Sequence, residues 1–295
     1  HTGFKGSWLA LWLSEMGADV TGFALPPDYP RSHFELLGLA DRINHVEGDL
    51  READPIKKCV EQVKPTFVFH LAAQALVRRF YNDPKATFDT NVGGGVNVME
   101  AIRNQDQLKA LVYITSDKAY LNKEWTWGYR ENDELGGHDP YSASKAAAEM
   151  VFSSYFHSFL KDREHLGTAT TRAGNVIGGG DWSDDRIIPD CIRALESGTP
   201  IVIRSPEATR PWQHVLDPLH GYLRLGAALA ENPRRYEGSW NFGPNVGAGL
   251  TVREVTERVI KHWGSGSLEI AANAGPFEHR LLQLSIDKAK LELRW

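Results

Sequence analysis

Cysteine is nearly absent from this sequence: Cys59 and Cys191 are the only two in 295 residues. Neither has neighbours at metal-ligand spacing, and two cysteines make no disulfide framework, so free thiols in a reducing, cytoplasmic compartment are expected. His138, His214 and His279 share no ligand spacing either, and no metal site is expected. No apolar run approaches the roughly 20 residues of a membrane span, so no membrane partner is expected. Positive charge is in deficit, with 33 Lys and Arg against 38 Asp and Glu, a net −5; that balance argues against nucleic acid as a partner. Repeats, low-complexity tracts and clear linkers are missing too. A chain of this length with an ordinary apolar share can bury a sizeable core, in one large domain or two intimate ones.

What is present is an alternation of helix and strand patterns. His1-Thr2-Gly3-Phe4-Lys5-Gly6 reads as a loop entered halfway, and Lys290 to Trp295 carry no terminal signature, so the sequence is expected to continue beyond both ends. Ser7 to Leu13 reads as a buried helix and Asp19 to Leu25 as a strand. Together they form the second part of a βαβ unit whose first strand is expected before residue 1. Gly3 and Gly6 suit a backbone that approaches a pyrophosphate at a helix N-terminus, or plain turn chemistry. The acidic residue that binds an adenosine ribose, about 20 residues on, is absent at Phe23 to Leu25.

The alternation continues with a strand at Ile43 to Gly48 and a helix at Pro55 to Val63. Pro65 to Leu71 is a continuous apolar strand, as in a parallel sheet buried on both faces. Lys85 to Arg103 reads as a helix whose Gly93-Gly94-Gly95 implies close backbone packing, since interior glycines cost about 1 kcal/mol each. Ala110 to Thr115 is a buried strand ending in Ser116-Asp117-Lys118, polar groups at the sheet edge where open α/β folds bind ligands. A strand at Thr168 to Arg172 and the turn Gly174-Asn175 follow. After Ile177 the texture changes to a polar, glycine-rich segment. The expected organisation is a doubly wound parallel sheet over residues 1–175 and a smaller lobe over 176–295, some of whose segments return to the sheet.

Chemistry gathers at Tyr141-Ser142-Ala143-Ser144-Lys145. The Ala-rich run behind it favours helix, with Asp139 as cap and Pro140 in the first turn. Positions i and i+4 share a face, so Tyr141 and Lys145 point the same way. A nearby ammonium is expected to lower the phenol from its ordinary value of about 10, allowing proton exchange with a sugar or alcohol hydroxyl. Alone, the spacing describes an ordinary surface pair equally well. Arg210 and Trp212 either clamp a phosphate and stack on a base, or are a surface arginine and a core tryptophan. Met150, Val151, Phe152, Tyr155, Phe156, Phe159 and Leu160 make the helix after Tyr141 apolar too broadly for one stripe. With the Lys85 to Arg103 helix it is expected to form a homodimer or dimer-of-dimers interface, the alternative being core packing within one subunit.

The joint order of a glycine-rich opening, Gly48-Asp49-Leu50, His70-Leu71-Ala72-Ala73, Asn91, Thr115-Ser116-Asp117, Tyr141-x-x-x-Lys145 and Arg172-x-Gly174-Asn175 resembles the extended short-chain dehydrogenase/reductase family, sugar-nucleotide branch. The stretches from His1 to Trp8, Gly136 to Tyr141, Arg172 to Trp182 and Arg210 to Val215 place the resemblance closest to the CDP-D-glucose 4,6-dehydratases, over essentially the whole chain. It implies a Rossmann-like fold, an NAD used and regenerated within one turnover, and deoxysugar biosynthesis of the kind that feeds lipopolysaccharide O-antigen. It implies that Tyr141, assisted by Lys145 and Ser116, removes the O4 proton while hydride leaves C4. Asp117 then acts as acid to the leaving C6 hydroxyl, with a raised pKa, and Lys118 as base at C5, with a depressed one. For NAD it implies Gly3, Phe4 and Gly6 at the pyrophosphate, Asp49 and Leu50 at the adenine, and Leu71, Ala72 and Ala73 along its middle. Asn91, Thr115, Tyr141, Lys145 and Asn175 complete the cofactor set. For the sugar nucleotide it implies Gln74, Asn175, Arg186, Arg210 and Trp212. Lys5 inside the glycine loop leaves NAD over NADP resting on the resemblance. Another sugar-nucleotide dehydratase or a 4-epimerase is the nearest alternative. A non-catalytic dinucleotide-binding module is more remote, because Tyr141 and Lys145 are both present.

Overall fold

The structure, a computed structural model, describes residues 1–245, 247, 249–271 and 281–295; His279 lies outside the described residues. Helix α1 (Phe4–Glu15) precedes strand β1 (Thr21–Ala24), β2 (Asn44–Glu47) leads to α2 (Ala53–Val63), and β3 (Phe67–His70) leads to α3. Helix α3 is one continuous run in three parts: Pro84–Phe88, a π turn at Asp89–Gly93, and Gly94–Ile102. Strand β4 (Ala110–Ile114) is followed by α4 (Pro140–Tyr155), and β5 (Gly167–Ala173) by α5 (Ile187–Ser197) and α6 (Leu216–Glu231). Strand β6 (Gly238–Phe242) then joins the sheet beside β5.

The main sheet has the order β6-β5-β4-β3, all parallel, while β1 and β2 form a separate parallel pair. Strand β3 is therefore hydrogen-bonded only to β4, and the expectation that this apolar run is buried throughout needs correcting. Phe67 is 41% exposed, and Val68 and Phe69 are half-buried. Strand β4, paired on both sides, is buried along its whole length. Its side chains alternate between two cores, as a pleated strand requires. Val112 and Ile114 join Leu9 of α1, Leu219, Tyr222 and Leu225 of α6, and Trp240 and Phe242 of β6. Leu111 and Tyr113 join Ile56 and Val60 of α2, Val98, Met99 and Ile102 of α3, and Phe152 of α4. Helices thus cover both faces.

Two of the three interior glycines of α3 earn their place by close approach. A Cβ on Gly95 would lie 2.2 Å from the Tyr113 hydroxyl and one on Gly94 3.1 Å from the Leu50 Cβ, whereas one on Gly93 would meet nothing within 4 Å. Beyond residue 176 the chain adds short strand pairs: Ile201–Ile203 with Leu268–Ile270, Thr209–Arg210 with Leu250–Thr251, and Val176–Ile177 with Gln213–His214. The Val176–Ile177 pair follows directly on the carboxyl end of β5.

Candidate active site

The site begins at the amino end of α4. The Asp139 carboxylate caps the helix, accepting from the Ser142 N–H at 2.9 Å and the Ser142 hydroxyl at 2.6 Å, and Pro140 occupies the first turn. This fixes where Tyr141 and Lys145 emerge, with the Lys145 Nζ 5.9 Å from the Tyr141 ring centroid. Phe80 stacks against the other side of the phenol ring at 5.8 Å. From β4, Ser116 caps the tight turn Asp117–Ala119: its Oγ accepts from the Lys118 N–H at 3.2 Å and donates to Asp117 Oδ1 at 3.0 Å. The Ser116 hydroxyl lies near enough to the Tyr141 phenol to favour its ionised form. The expected Tyr141, Lys145, Ser116 and Asp117 are thus brought together, and Asp117 and Lys118 line a cleft with Asn122, Gly137, His138 and Leu282.

Burial governs the electrostatics. Asp117 is 3% exposed, and its Oδ2 has no hydrogen-bond partner. Burial pushes its carboxyl up, against the opposing pull of Lys118, Ser116, Lys5 and Arg210. The raised acid anticipated for Asp117 is what the surroundings produce. The phenol runs the other way from expectation: burial pushes Tyr141 up, the nearby Asp117 adds to it, and Ser116 and Arg186 only partly offset this. The reason lies in Lys145, which is itself 4% exposed and pulled down to about 7 by burial and by the charge of Lys5. A desolvated ammonium that gives up its proton so readily is a weak source of positive potential. His70, buried behind it, is held neutral, pulled down to about 3 by burial and Lys145.

Lys5 is the residue whose place sequence reasoning missed. It stands in the first turn of α1, its Nζ 3.4 Å from the Tyr222 hydroxyl. Burial and Arg186 lower it to about 8, and it feels the charge of Asp117. The one available signal was its position inside the glycine loop.

A dinucleotide fits the amino end of α1. Gly3 is the N-cap and offers no side-chain cap to the first-turn N–H groups, and a Cβ built there meets nothing within 4 Å. Phe4 and Gly6 lie in the same turn, where unpaired N–H groups and the helix dipole favour a phosphate. Ala72 and Ala73 follow the end of β3 with Leu71, all half-buried. Other candidate residues also make contacts within the protein. The Asp49 carboxylate accepts from Arg51, both from its N–H at 2.9 Å and from its guanidinium Nε at 2.8 Å. Leu50 is buried against Gly94. Asn91 accepts from the Gln74 N–H at 2.8 Å and donates to the Gln74 carbonyl and the Ser144 hydroxyl, so it brackets a loop to α4. Gln74 turns its amide back on Leu76 and Thr87. The Thr115 hydroxyl points to Glu149.

Among the nucleotide-sugar candidates, Arg186 precedes α5 and lies close enough to influence Lys5 and Tyr141. Arg210 influences Asp117 and lines a neighbouring cleft with Pro211, Asn245 and Leu284. Trp212 donates its indole N–H to the Leu250 carbonyl at 2.9 Å and lies half-buried beside that cleft. The Asn175 carbonyl accepts from the Gln213 N–H at 3.1 Å. Among the described residues no cluster of His, Cys, Asp and Glu is placed to hold a metal ion, and no helix is long and apolar enough to cross a membrane.

A parallel sheet wound on both faces, a phosphate-accepting helix end and a Tyr-Lys pair beside a Ser-Asp turn define a nucleotide-dependent enzyme of the Rossmann class. The sequence pattern of the NAD dependent epimerase/dehydratase family matches residues 1–243, and the chain belongs to that family. It is 44% identical over 300 residues to the CDP-glucose 4,6-dehydratase of Salmonella typhimurium, covering 100% of this chain and 84% of that protein. Among solved structures, a dTDP-glucose 4,6-dehydratase of Streptomyces venezuelae with NAD bound superposes with a TM-score of 0.81 at 22% identity, over 100% of this chain and 89% of that one. A UDP-glucose 4-epimerase of Thermus thermophilus in complex with NAD superposes at 0.79 with 26% identity, over 97% and 89%.

Proposed function

We propose that this protein converts CDP-D-glucose to CDP-4-dehydro-6-deoxy-D-glucose and water. The observation that carries this is Asp117, a carboxyl buried beside Tyr141 with one oxygen unpartnered and its pKa raised by burial. Water elimination needs a protonated acid at the departing hydroxyl, and a 4-epimerase has no such need. The 44% identity to a CDP-glucose 4,6-dehydratase supports the choice of nucleotide.

Tyr141 accepts the O4 proton, with Ser116 to relay it and Lys145 behind the ring. Gly3, Phe4 and Gly6 would hold NAD, which would supply the hydride acceptor at C4 and the hydride donor at C6. Asp117 delivers its proton to the C6 hydroxyl, which leaves as water, and Lys118, its neighbour in the cleft, takes the C5 proton made acidic by the 4-ketone and returns a proton to C5 as C6 is reduced. Arg186 and Arg210 hold the diphosphate. The protein acts as a cytoplasmic homodimer, and its product enters deoxysugar biosynthesis such as that of lipopolysaccharide O-antigen. Mass spectrometry of the product from CDP-glucose tests the assignment: loss of one water is expected, and an unchanged mass overturns it in favour of epimerisation.

A further inference from the structure

Beneath the Tyr141 helix lies a buried ion pair that the reaction itself does not use. Arg172 of β5 and Glu149 of α4 have side chains only 3% and 4% exposed. Arg172 Nε donates to Glu149 Oε1 at 2.8 Å and Nη2 to Oε2 at 2.9 Å. The remaining N–H groups reach the Tyr120 hydroxyl at 2.8 Å, the Glu131 carbonyl at 2.9 Å and the Ser239 hydroxyl at 3.0 Å. A guanidinium has five N–H donors, so all are placed. The carboxylate takes two further donors, Thr115 Oγ1 at 2.5 Å and Thr170 Oγ1 at 2.8 Å. Tyr120 in turn donates to Asn241 of β6 at 2.8 Å.

Such a pair is a poor source of stability, because desolvating both charges offsets their attraction, and an apolar pair of similar volume would pack as well. Its connections point to another role. Glu149 lies one turn beyond Lys145 and two beyond Tyr141 on the same helix. Thr115 directly precedes Ser116 and Asp117. One carboxylate therefore ties the helix carrying the Tyr-Lys pair to the strand end carrying the acid.

We propose that Glu149 and Arg172 are positioning residues of the catalytic centre, fixing Tyr141 and Lys145 of α4 against Ser116 and Asp117 in the turn that follows β4. This rests on the catalytic roles proposed above. Glu149 also acts through its charge. It favours the ammonium of Lys145, against burial and the repulsion of Lys5. The other titratable groups facing Lys145 are Tyr141 on its own helix and His70 of β3, which is neutral. Those facing Glu149 are Arg172 and the Tyr113 phenol of β4.

Two variants of the holoenzyme separate geometry from charge. Wild type must first convert CDP-glucose with loss of water; if it does not, the functional assignment fails before the positioning role is at issue. Thr115→Val removes the hydroxyl that bonds Glu149 and the Thr171 carbonyl, and no charge. It is expected to stay folded and leave KM and the pH profile unchanged, while kcat falls about tenfold through misplacement of the reacting groups. Glu149→Gln keeps the shape and removes the charge. Its kcat is expected to fall further, and the limb of the pH–kcat profile that reports Lys145 should move to lower pH, whichever protonation state is the active one. Wild-type kcat in Thr115→Val overturns the positioning role, whether or not Glu149→Gln folds. An unmoved limb in folded Glu149→Gln overturns the electrostatic part.

Discussion

Lys145 and Asp117 are buried and Lys5 half-buried beside them, and each of these ionisable side chains is shifted toward its neutral form. Burial disfavours the charged form of any group, which makes a proton donor of a carboxyl and a proton acceptor of an amine. For Asp117 this has a consequence for stability. Its folded pKa lies above the ordinary 3.8, so between 3.8 and that raised value the native state holds a proton that the unfolded chain releases. Stability is lost as pH rises through this window and stays lost above it. Asp117→Asn escapes that penalty. Its Tm at pH 7.5 is expected to exceed wild type, with the gain vanishing as pH falls below 3.8, while turnover drops by roughly a hundred- to ten-thousand-fold. Calorimetry across a pH series measures the first, and a Tm below wild type at pH 7.5 would contradict the burial argument.

At the scale of elements, the contact between α3 and β4 is tightest where Gly95 meets Tyr113. The Tyr113 hydroxyl is buried without a hydrogen-bond partner. Gly95→Ala is expected to destabilise by about 1–3 kcal/mol, since a Cβ there collides with that hydroxyl. Tyr113→Phe removes the colliding atom and leaves the ring carbon at 3.5 Å, an ordinary contact. The double variant should therefore recover most of the loss, which denaturant unfolding of the four-member cycle reads as a coupling energy. Purely additive effects would show that the collision is relieved some other way. These elements also show which features were legible in the sequence. The α4 start was, because its cap, its proline and its Ala-rich run all act within one turn. The burial of β4 was, because its apolar run is paired on both sides, although the same texture did not bury β3. The place of Lys5 was not, since its Nζ meets Tyr222, 217 residues away. Nor was the fate of Gln74 and Asn91, polar residues of the kind ligands use: the Asn91 amide holds the Gln74 backbone across 17 positions, and the Gln74 amide turns back on Leu76. The direction of the Tyr141 shift was hidden for the same reason: helical spacing places a lysine near a phenol, but only the tertiary fold decides how much water either keeps.

The whole molecule presents two surfaces that sequence patterning grouped as one. Along α4 and its continuation Phe152 and Leu160 are buried in the core, whereas Met150 and Phe159 are 61% and 50% exposed. The apolar breadth of this helix thus divides between an inner face and an outer one, and the outer face is the expected dimer contact. Static light scattering at micromolar concentration should give twice the chain mass, and Met150→Lys with Phe159→Lys should shift it toward one; a wild-type monomer would contradict the assembly. The parallel sheet brings the ends of α1, β3, β4 and α4 to one edge, so a single site is served by residues from Gly3 to Arg210. A shuttle of hydride within that one site is the central claim, and CDP-glucose deuterated at C4 tests it most directly. In ordinary water the predicted product carries the deuterium in its new C6 methyl group, undiluted by solvent. Deuterium retained at C4 with the C6 hydroxyl intact would contradict it.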